Sequence, residues 1–174
     1  NFDFLDEITL IEEIKGSDRW DVRDLFQRNV DNHRVTKGLI PFFKDPDSIK
    51  FFAPLALVLL PITDNDIDSD LQEYEIDEDV TDTQGGTYNN FRLSDYYEFK
   101  EYSADPSYSF VKWNSTKVKV VAVDGQHRLS ALKRLQDDPQ TPEILNHMNI
   151  PILLMGFSKM AGASTAPNLL DVVR

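Results

Sequence analysis

One stretch decides how this chain folds: Val118-Lys119-Val120-Val121-Ala122-Val123-Asp124-Gly125-Gln126-His127-Arg128-Leu129. Its first six residues are apolar except for Lys119, a pattern that predicts a mostly buried β-strand. From Gln126 onward the spacing becomes helical, because leucines recur three residues apart as far as Leu135. The stretch therefore predicts a strand, a tight turn at Gly125 and a helix, in that order.

The predicted turn has the features of an anion site. Backbone N–H groups and the positive end of the helix dipole gather where a helix begins. Gly125 permits a close backbone approach or a positive φ. Arg128 lies in the first helical turn, and its planar guanidinium suits a phosphate group. These residues predict that the turn binds phosphate.

The five residues from Asp124 to Arg128 resemble the signature of the DGQHR-domain family, which includes DndB-like proteins of DNA phosphorothioation systems. That family is similar to the ParB/sulfiredoxin-like fold, in which a comparable strand-turn-helix holds nucleotide phosphates. The segment Leu25–Asp31 resembles the N-terminal box of the family, and Phe51–Pro61 resembles the hydrophobic strand after it. The resemblance covers roughly 21–154, and the Arg…Phe…Asn element of the family is not found in 156–174.

The resemblance implies a nucleotide-binding domain that acts in, or regulates, DNA phosphorothioate modification or defence, with ATP hydrolysis an open question. It implies ATP or another nucleoside triphosphate as ligand, Mg²⁺ as the accompanying ion, and DNA and other modification-system proteins as partners of the full-length protein. The implied phosphate-binding residues are Gln27, Arg28, Gly125, Gln126, His127 and Arg128. The implied catalytic residues are Asp124, Gln126 and His127.

Each motif residue also has a structural interpretation. Asp124 would place a metal-bound water or contact the ligand, or it would cap the helix through the N–H of Gln126 or His127. Gln126 would orient a water or be solvated. His127 would touch phosphate or transfer a proton, or it would be a structural histidine bonded to a backbone carbonyl. Arg128 would bind phosphate or form a buried salt bridge, and Arg28 would reach the same anion or cover a helix end.

Composition narrows the classes of protein. The 174 residues are 41% apolar and include no cysteine. We expect one domain over 1–174, from a longer chain because the first residue is Asn1. The lack of cysteine excludes disulfides, thiolate catalysis and Cys-ligated zinc in this segment. No apolar run reaches the length of a membrane span, so we expect no membrane partner and a cytoplasmic location.

The negative charge is concentrated in one segment. The net charge is −12, and Asp64–Asp82 contains ten acidic residues and no Lys or Arg. The remaining residues have 20 acids against 18 bases, so the body of the chain is close to neutral. We predict that 64–90 is a polar, mobile insertion. The alternative function is a non-enzymatic DNA-binding transcription regulator or a protein-interaction module, which would need a basic face.

The other patterns complete a mixed α/β (α+β) domain of ParB/sulfiredoxin-like type, with a mixed sheet, flanking helices and a strand-turn-helix phosphate site. The predicted helices begin at Ser17 or Asp18, at Asp31 or Asn32 (ending at Pro41), and at Pro142. The predicted strands are Ile8–Ile14, Phe51–Leu60 with a proline at each boundary, and Ile150–Leu154. Phe91–Tyr102 and Tyr108–Trp113 are predicted to form a hairpin that bends at Asp105-Pro106.

Overall fold

The computed structural model describes residues 3–10, 13, 30–50, 53–63, 66–67, 75–104, 109–139 and 148–156. Contacts divide the chain into two compact units, 1–58 with 120–155 and 59–119 with 156–174. Helices, one mixed sheet and one antiparallel sheet together confirm the α/β class. Among the described helices, none has both the length and the apolar character needed to cross a membrane.

The first sheet has the strand order β1-β8-β2-β3, and β9 also pairs with β2. Its strands are β1 (Ile8–Leu10), β2 (Leu55–Thr63), β3 (Asp66–Ile67), β8 (Val118–Asp124) and β9 (Ile152–Gly156). β1 runs parallel to β8, whereas β3 runs antiparallel to β2, so the sheet is mixed. The predicted strand Ile8–Ile14 is confirmed for Ile8–Leu10 but not at Glu13, which is helical, and the predicted strand Ile150–Leu154 is confirmed from Ile152. β8 is buried except at Lys119 and Asp124.

Among the described residues, three helical segments of five or more residues accompany this sheet. They are α1 (Asp3–Glu7), a π-helix (Arg34–Leu39) continued by α2 (Ile40–Lys44), and α3 (Gln126–Gln136). The leucines of α3 are fully buried, as their spacing predicts. α3 contacts each of the other helical segments. Arg134 of α3 donates a hydrogen bond to Thr36 Oγ1 of the π-helix at 3.1 Å. Lys44 Nζ of α2 lies 2.6 Å from Oδ2 of Asp138, two residues after the end of α3.

The prediction that Pro41 ends the second helix is wrong. The helix begins as expected at Asp31, whose Oδ1 accepts from the N–H groups of His33 at 2.9 Å and Arg34 at 3.2 Å. The N–H of Ile40 then bonds the carbonyl of Val35, five residues back. This π-type bond shifts the hydrogen-bond register just before Pro41, which occupies the first turn of α2, where its missing N–H is tolerated.

The prediction that a proline marks the end of the second strand is also wrong. Pro61 lies inside β2 rather than at its boundary. The N–H of the next residue, Ile62, donates to the carbonyl of Lys117 at 3.0 Å, on the side of β8. Because successive N–H groups in a strand point to opposite sides, the position without a donor faces away from β8. Pro61 therefore removes no hydrogen bond to that strand.

The second sheet is antiparallel, in the order β4-β5-β6-β7. Its strands are β4 (Glu75–Thr81), β5 (Thr87–Leu93), β6 (Tyr97–Tyr102) and β7 (Ser109–Trp113). The prediction of a mobile insertion over 64–90 is wrong where the structure describes this segment, since β3 pairs with β2 and β4 pairs with β5. Acidic residues are tolerated there because β4 is exposed along most of its length at the sheet edge.

The predicted aromatic hairpin is confirmed in part. β6 and β7 pair antiparallel, with Tyr97 opposite Trp113. However, Phe91–Tyr102 is not one strand: a turn with positive φ at Ser94 separates β5 from β6. The predicted bend at Asp105-Pro106 lies outside the described residues. So do the helices predicted at Ser17 or Asp18 and at Pro142.

Candidate phosphate site at the Gly125 turn

The turn between β8 and α3 forms where the sequence predicts it. Gly125 is the N-cap residue of α3 and has a left-handed backbone, with φ 85° and ψ 18°. A Cβ at this position would lie 2.6 Å from Cδ2 of Leu55 and 2.9 Å from Nη2 of Arg128. Both the positive φ and the close approach therefore require glycine. As a cap, glycine brings no side chain to the first N–H groups of α3.

Asp124 is the last residue of β8, and its carboxylate reaches solvent. Its side chain is 55% exposed. Oδ1 accepts a hydrogen bond from the N–H of Gly125 at 2.7 Å, and Oδ2 lies 3.5 Å from Nη2 of Arg128. Asp124 immediately precedes Gly125, the N-cap residue of α3, and the interpretation that it caps α3 through Gln126 or His127 stays a prediction. Its exposed carboxylate stands beside the helix start.

Arg128 holds the backbone that leads into β2. Its side chain is 19% exposed. Nη1 donates to the carbonyl of Ala53, and Nη2 lies 3.4 Å from the carbonyl of Pro54. The salt bridge to Asp124 is the longer contact, and that carboxylate is not buried. The structural interpretation of a buried salt bridge to an acid is confirmed in part: Asp124 is the acid, but its carboxylate is half-exposed. The nearest acceptors are backbone carbonyls, and the guanidinium still lies beside the turn.

His127 joins the turn to the helix that starts at Asp31. Its Nε2 accepts a hydrogen bond from the N–H of Asp31 at 2.9 Å. A backbone N–H can only donate, so Nε2 bears no proton, and a neutral ring carries its proton on Nδ1. The structural interpretation expected a bond to a carbonyl, whereas the partner is an N–H. This bond occupies the nitrogen that would otherwise take up a proton.

The Asp31 carboxylate anchors the same junction. The backbone N–H of Arg34, followed by that of His33, holds the pKa of Asp31 below its ordinary value of 3.8. The carboxylate therefore stays charged as the cap of the helix. Its N–H and its side chain together bind three partners, of which His127 is the one that belongs to the turn.

Gln126 is buried, with 4% of its surface exposed, so the interpretation of a solvated glutamine is wrong. The other two phosphate-binding residues implied by the family resemblance, Gln27 and Arg28, lie outside the described residues. The structure thus brings together Asp124, Gly125, Gln126, His127 and Arg128 in one turn. Whether the N-terminal pair joins them stays a prediction.

The described residues contain no group of three or more His, Asp or Glu side chains that could hold a metal by themselves. Mg²⁺ commonly uses one or two carboxylates together with substrate phosphates and waters. A single half-exposed carboxylate such as that of Asp124 fits an ion that arrives with a nucleotide. It does not fit a site made entirely of protein ligands.

Sequence patterns do not reveal three of the groups that shape the site. The carbonyls of Ala53 and Pro54 and the N–H of Asp31 are backbone groups, and every residue type supplies them. The sequence identifies Asp31 as a cap, but its contact with His127 spans 96 positions along the chain. Only the tertiary structure brings such groups to the turn.

Comparisons with protein-family models, with curated proteins and with solved structures find no match to this chain.

Proposed function

We propose that the Gly125 turn binds the phosphates of a nucleoside triphosphate. The chain would then be the nucleotide-binding domain of a DndB-like protein that acts in, or regulates, DNA phosphorothioate modification. The observation that carries the proposal is the left-handed glycine cap of α3. It leaves the helix start without a side-chain cap of its own, and the helix dipole favours an anion at that end.

Two neighbouring groups support an anionic ligand with a counter-ion. The guanidinium of Arg128 lies 2.9 Å from the position that a Cβ of Gly125 would occupy, and its several N–H donors allow it to serve more than one acceptor. Asp124 would hold Mg²⁺, which would neutralise charge between its carboxylate and the phosphates. Without the ion, the same carboxylate would repel the phosphates.

The proposal covers binding and leaves hydrolysis aside. Of the residues implied as catalytic, His127 has Nε2 occupied by the N–H of Asp31, and Gln126 is buried. Neither is poised to take a proton from water. Asp124 has the exposed carboxylate, and its function under the proposal is to hold the ion.

A second function is favoured because two side chains of the motif bind backbone groups of the protein itself. Arg128 and His127 each bind backbone groups of another segment, which is what a purely structural turn requires. The chain would then be a non-enzymatic DNA-binding regulator or protein-interaction module. Its partners would be DNA or other proteins of the modification system.

Calorimetric titration with ATP, GTP and CTP, each with and without Mg²⁺, distinguishes the two functions. Asp124→Asn keeps an oxygen for the N–H of Gly125 but removes the charge. We expect this variant to bind about tenfold more weakly in Mg²⁺, in line with the loss of a charged contact. Without Mg²⁺ it should bind as well as the natural protein or better.

Asp77→Asn is the matched control, because Asp77 is an exposed aspartate on β4. Its change in net charge is identical, so its affinity should stay unchanged. If none of the three nucleotides binds under either condition, the turn is structural and the second function stands.

A further inference from the structure

The second compact unit contains a pocket of about 420 Å³ at one end of its antiparallel sheet. The wall is formed where the β5–β6 turn and the residues after β7 meet, and the N–H of Asn114 bonds the carbonyl of Tyr96 there at 2.8 Å. A volume of this order is typical of sites for small organic ligands, which span roughly 300–1,000 Å³. Every lining residue belongs to this unit, and none belongs to the Gly125 turn.

Aromatic residues form much of the lining. Tyr97 and Trp113 are directly opposite each other on β6 and β7. Tyr97 is 3% exposed, whereas Tyr96 and Trp113 are half-buried, so part of each of these two side chains reaches the surface. Aromatic side chains in a concave site favour planar ligands, because flat rings stack with little loss of entropy.

Most charges around the pocket are already balanced. Arg92 donates from Nε to Oε2 of Glu75 at 3.0 Å, and this carboxylate raises the pKa of the guanidinium. Asp95 is paired with Lys117, whose hydrogen bond lowers the pKa of the carboxyl. Neither pair leaves a net charge for a ligand.

The other two charged residues that line the pocket are Glu98 and Lys112, which face each other across β6 and β7. The ion pair of Glu98 is with Lys100, 4.0 Å away on the same strand. Within the described part of the chain, no carboxylate lies within 4.0 Å of the Lys112 ammonium. Lys112 is also exposed, so its charge is accessible at the pocket.

We propose that this pocket binds a small planar aromatic molecule that carries one anionic group, with Lys112 contacting the anion and the rings of Tyr96 and Trp113 contacting the plane. A nucleoside monophosphate and an aromatic carboxylate share this chemistry. The pocket is thus a second ligand site, in addition to the Gly125 turn.

The test follows the indole N–H resonance of Trp113 by NMR during titration with AMP, benzoate and adenosine. The chain has two tryptophans, and Trp20→Phe assigns the signal. Saturable shifts with AMP identify a nucleotide ligand, and saturable shifts with benzoate alone identify an aromatic acid. Adenosine matches AMP without the charge, and we expect it to bind at least fivefold more weakly.

Lys112→Ala should weaken binding of the anionic probe about fivefold and leave the adenosine affinity unchanged. Lys119→Ala is the matched control, because Lys119 is an exposed lysine on β8 that does not line the pocket. The proposal is overturned if neither anion shifts the Trp113 resonance. It is also overturned if adenosine binds as tightly as AMP and benzoate does not bind, or if the two lysine variants behave alike.

Discussion

Substitution of Gly125 by alanine should destabilise the protein more than the same substitution at Gly38 or Gly85, where an added Cβ would have no neighbour within 4 Å. Two costs combine at Gly125. An L-residue in the left-handed region costs about 1–2 kcal/mol. The added Cβ would also lie 2.6 Å from Cδ2 of Leu55, a fully buried side chain with little space to move. Overpacking of this kind costs about 1–3 kcal/mol. We therefore expect a loss of about 2–5 kcal/mol of unfolding free energy.

Two other glycines separate these costs. Gly85 has φ +84° and no atom within 4 Å of an added Cβ, so Gly85→Ala measures the backbone cost alone. Gly38 has neither a positive φ nor a close neighbour, and it lies in the π-helix, so Gly38→Ala should stabilise by up to about 1 kcal/mol. Urea unfolding followed by circular dichroism, with the slope m compared among variants, gives the three values. The reasoning is refuted if Gly125→Ala costs no more than Gly85→Ala.

Three further substitutions test the neighbouring contacts. Arg128→Ala should lower nucleotide affinity at least tenfold. It should also cost about 1–3 kcal/mol of unfolding free energy, because the carbonyls of Ala53 and Pro54 lose a charged donor. A stability loss with unchanged affinity in calorimetry would assign Arg128 to structure alone. His127→Ala should cost about 1 kcal/mol in urea unfolding, and His127→Gln should recover part of it by supplying an acceptor to the N–H of Asp31; equal losses would disprove that contact. Asp31 has a pKa below 3.8 when folded, so its contribution is complete above the ordinary pKa and is lost as the pH falls through the lower folded value. Thermal melting between pH 5 and pH 2.5 should therefore show a smaller acid-induced decrease for Asp31→Asn than for the natural protein, and identical decreases would contradict the capping role.

Local patterns predicted the strand-turn-helix well, because each part depends on its own residues. The burial of β8, the turn at Gly125 and the leucine face of α3 follow from periodicity and from the special backbone of glycine. The acidic strand β4 could not be predicted in this way. Four of its seven residues are Asp or Glu, which have low β-propensity, and it exists because β5 offers a partner at an exposed edge.

The prolines and the polar partners of the turn show the same limit. Pro41 and Pro61 are tolerated because of hydrogen-bond registers that only the assembled structure defines. Helical spacing correctly places Arg128 in the first turn of α3, but its nearest acceptors are main-chain carbonyls 74 and 75 positions away. Residue identity carries no information about such acceptors, so the sequence indicated a site for phosphate without indicating what already surrounds it.

The most direct test of the phosphate site is an NMR titration of the ¹⁵N-labelled protein with Mg²⁺-ATP. It follows the backbone amide resonances of Gly125, Gln126, His127 and Arg128. Phosphate oxygens that accept from the N–H groups at the start of α3 would shift these four resonances together. We predict saturable shifts at the turn that weaken in Asp124→Asn and persist in Asp77→Asn. Resonances at the turn that stay unchanged at saturating nucleotide, even if others move, would contradict the proposed site.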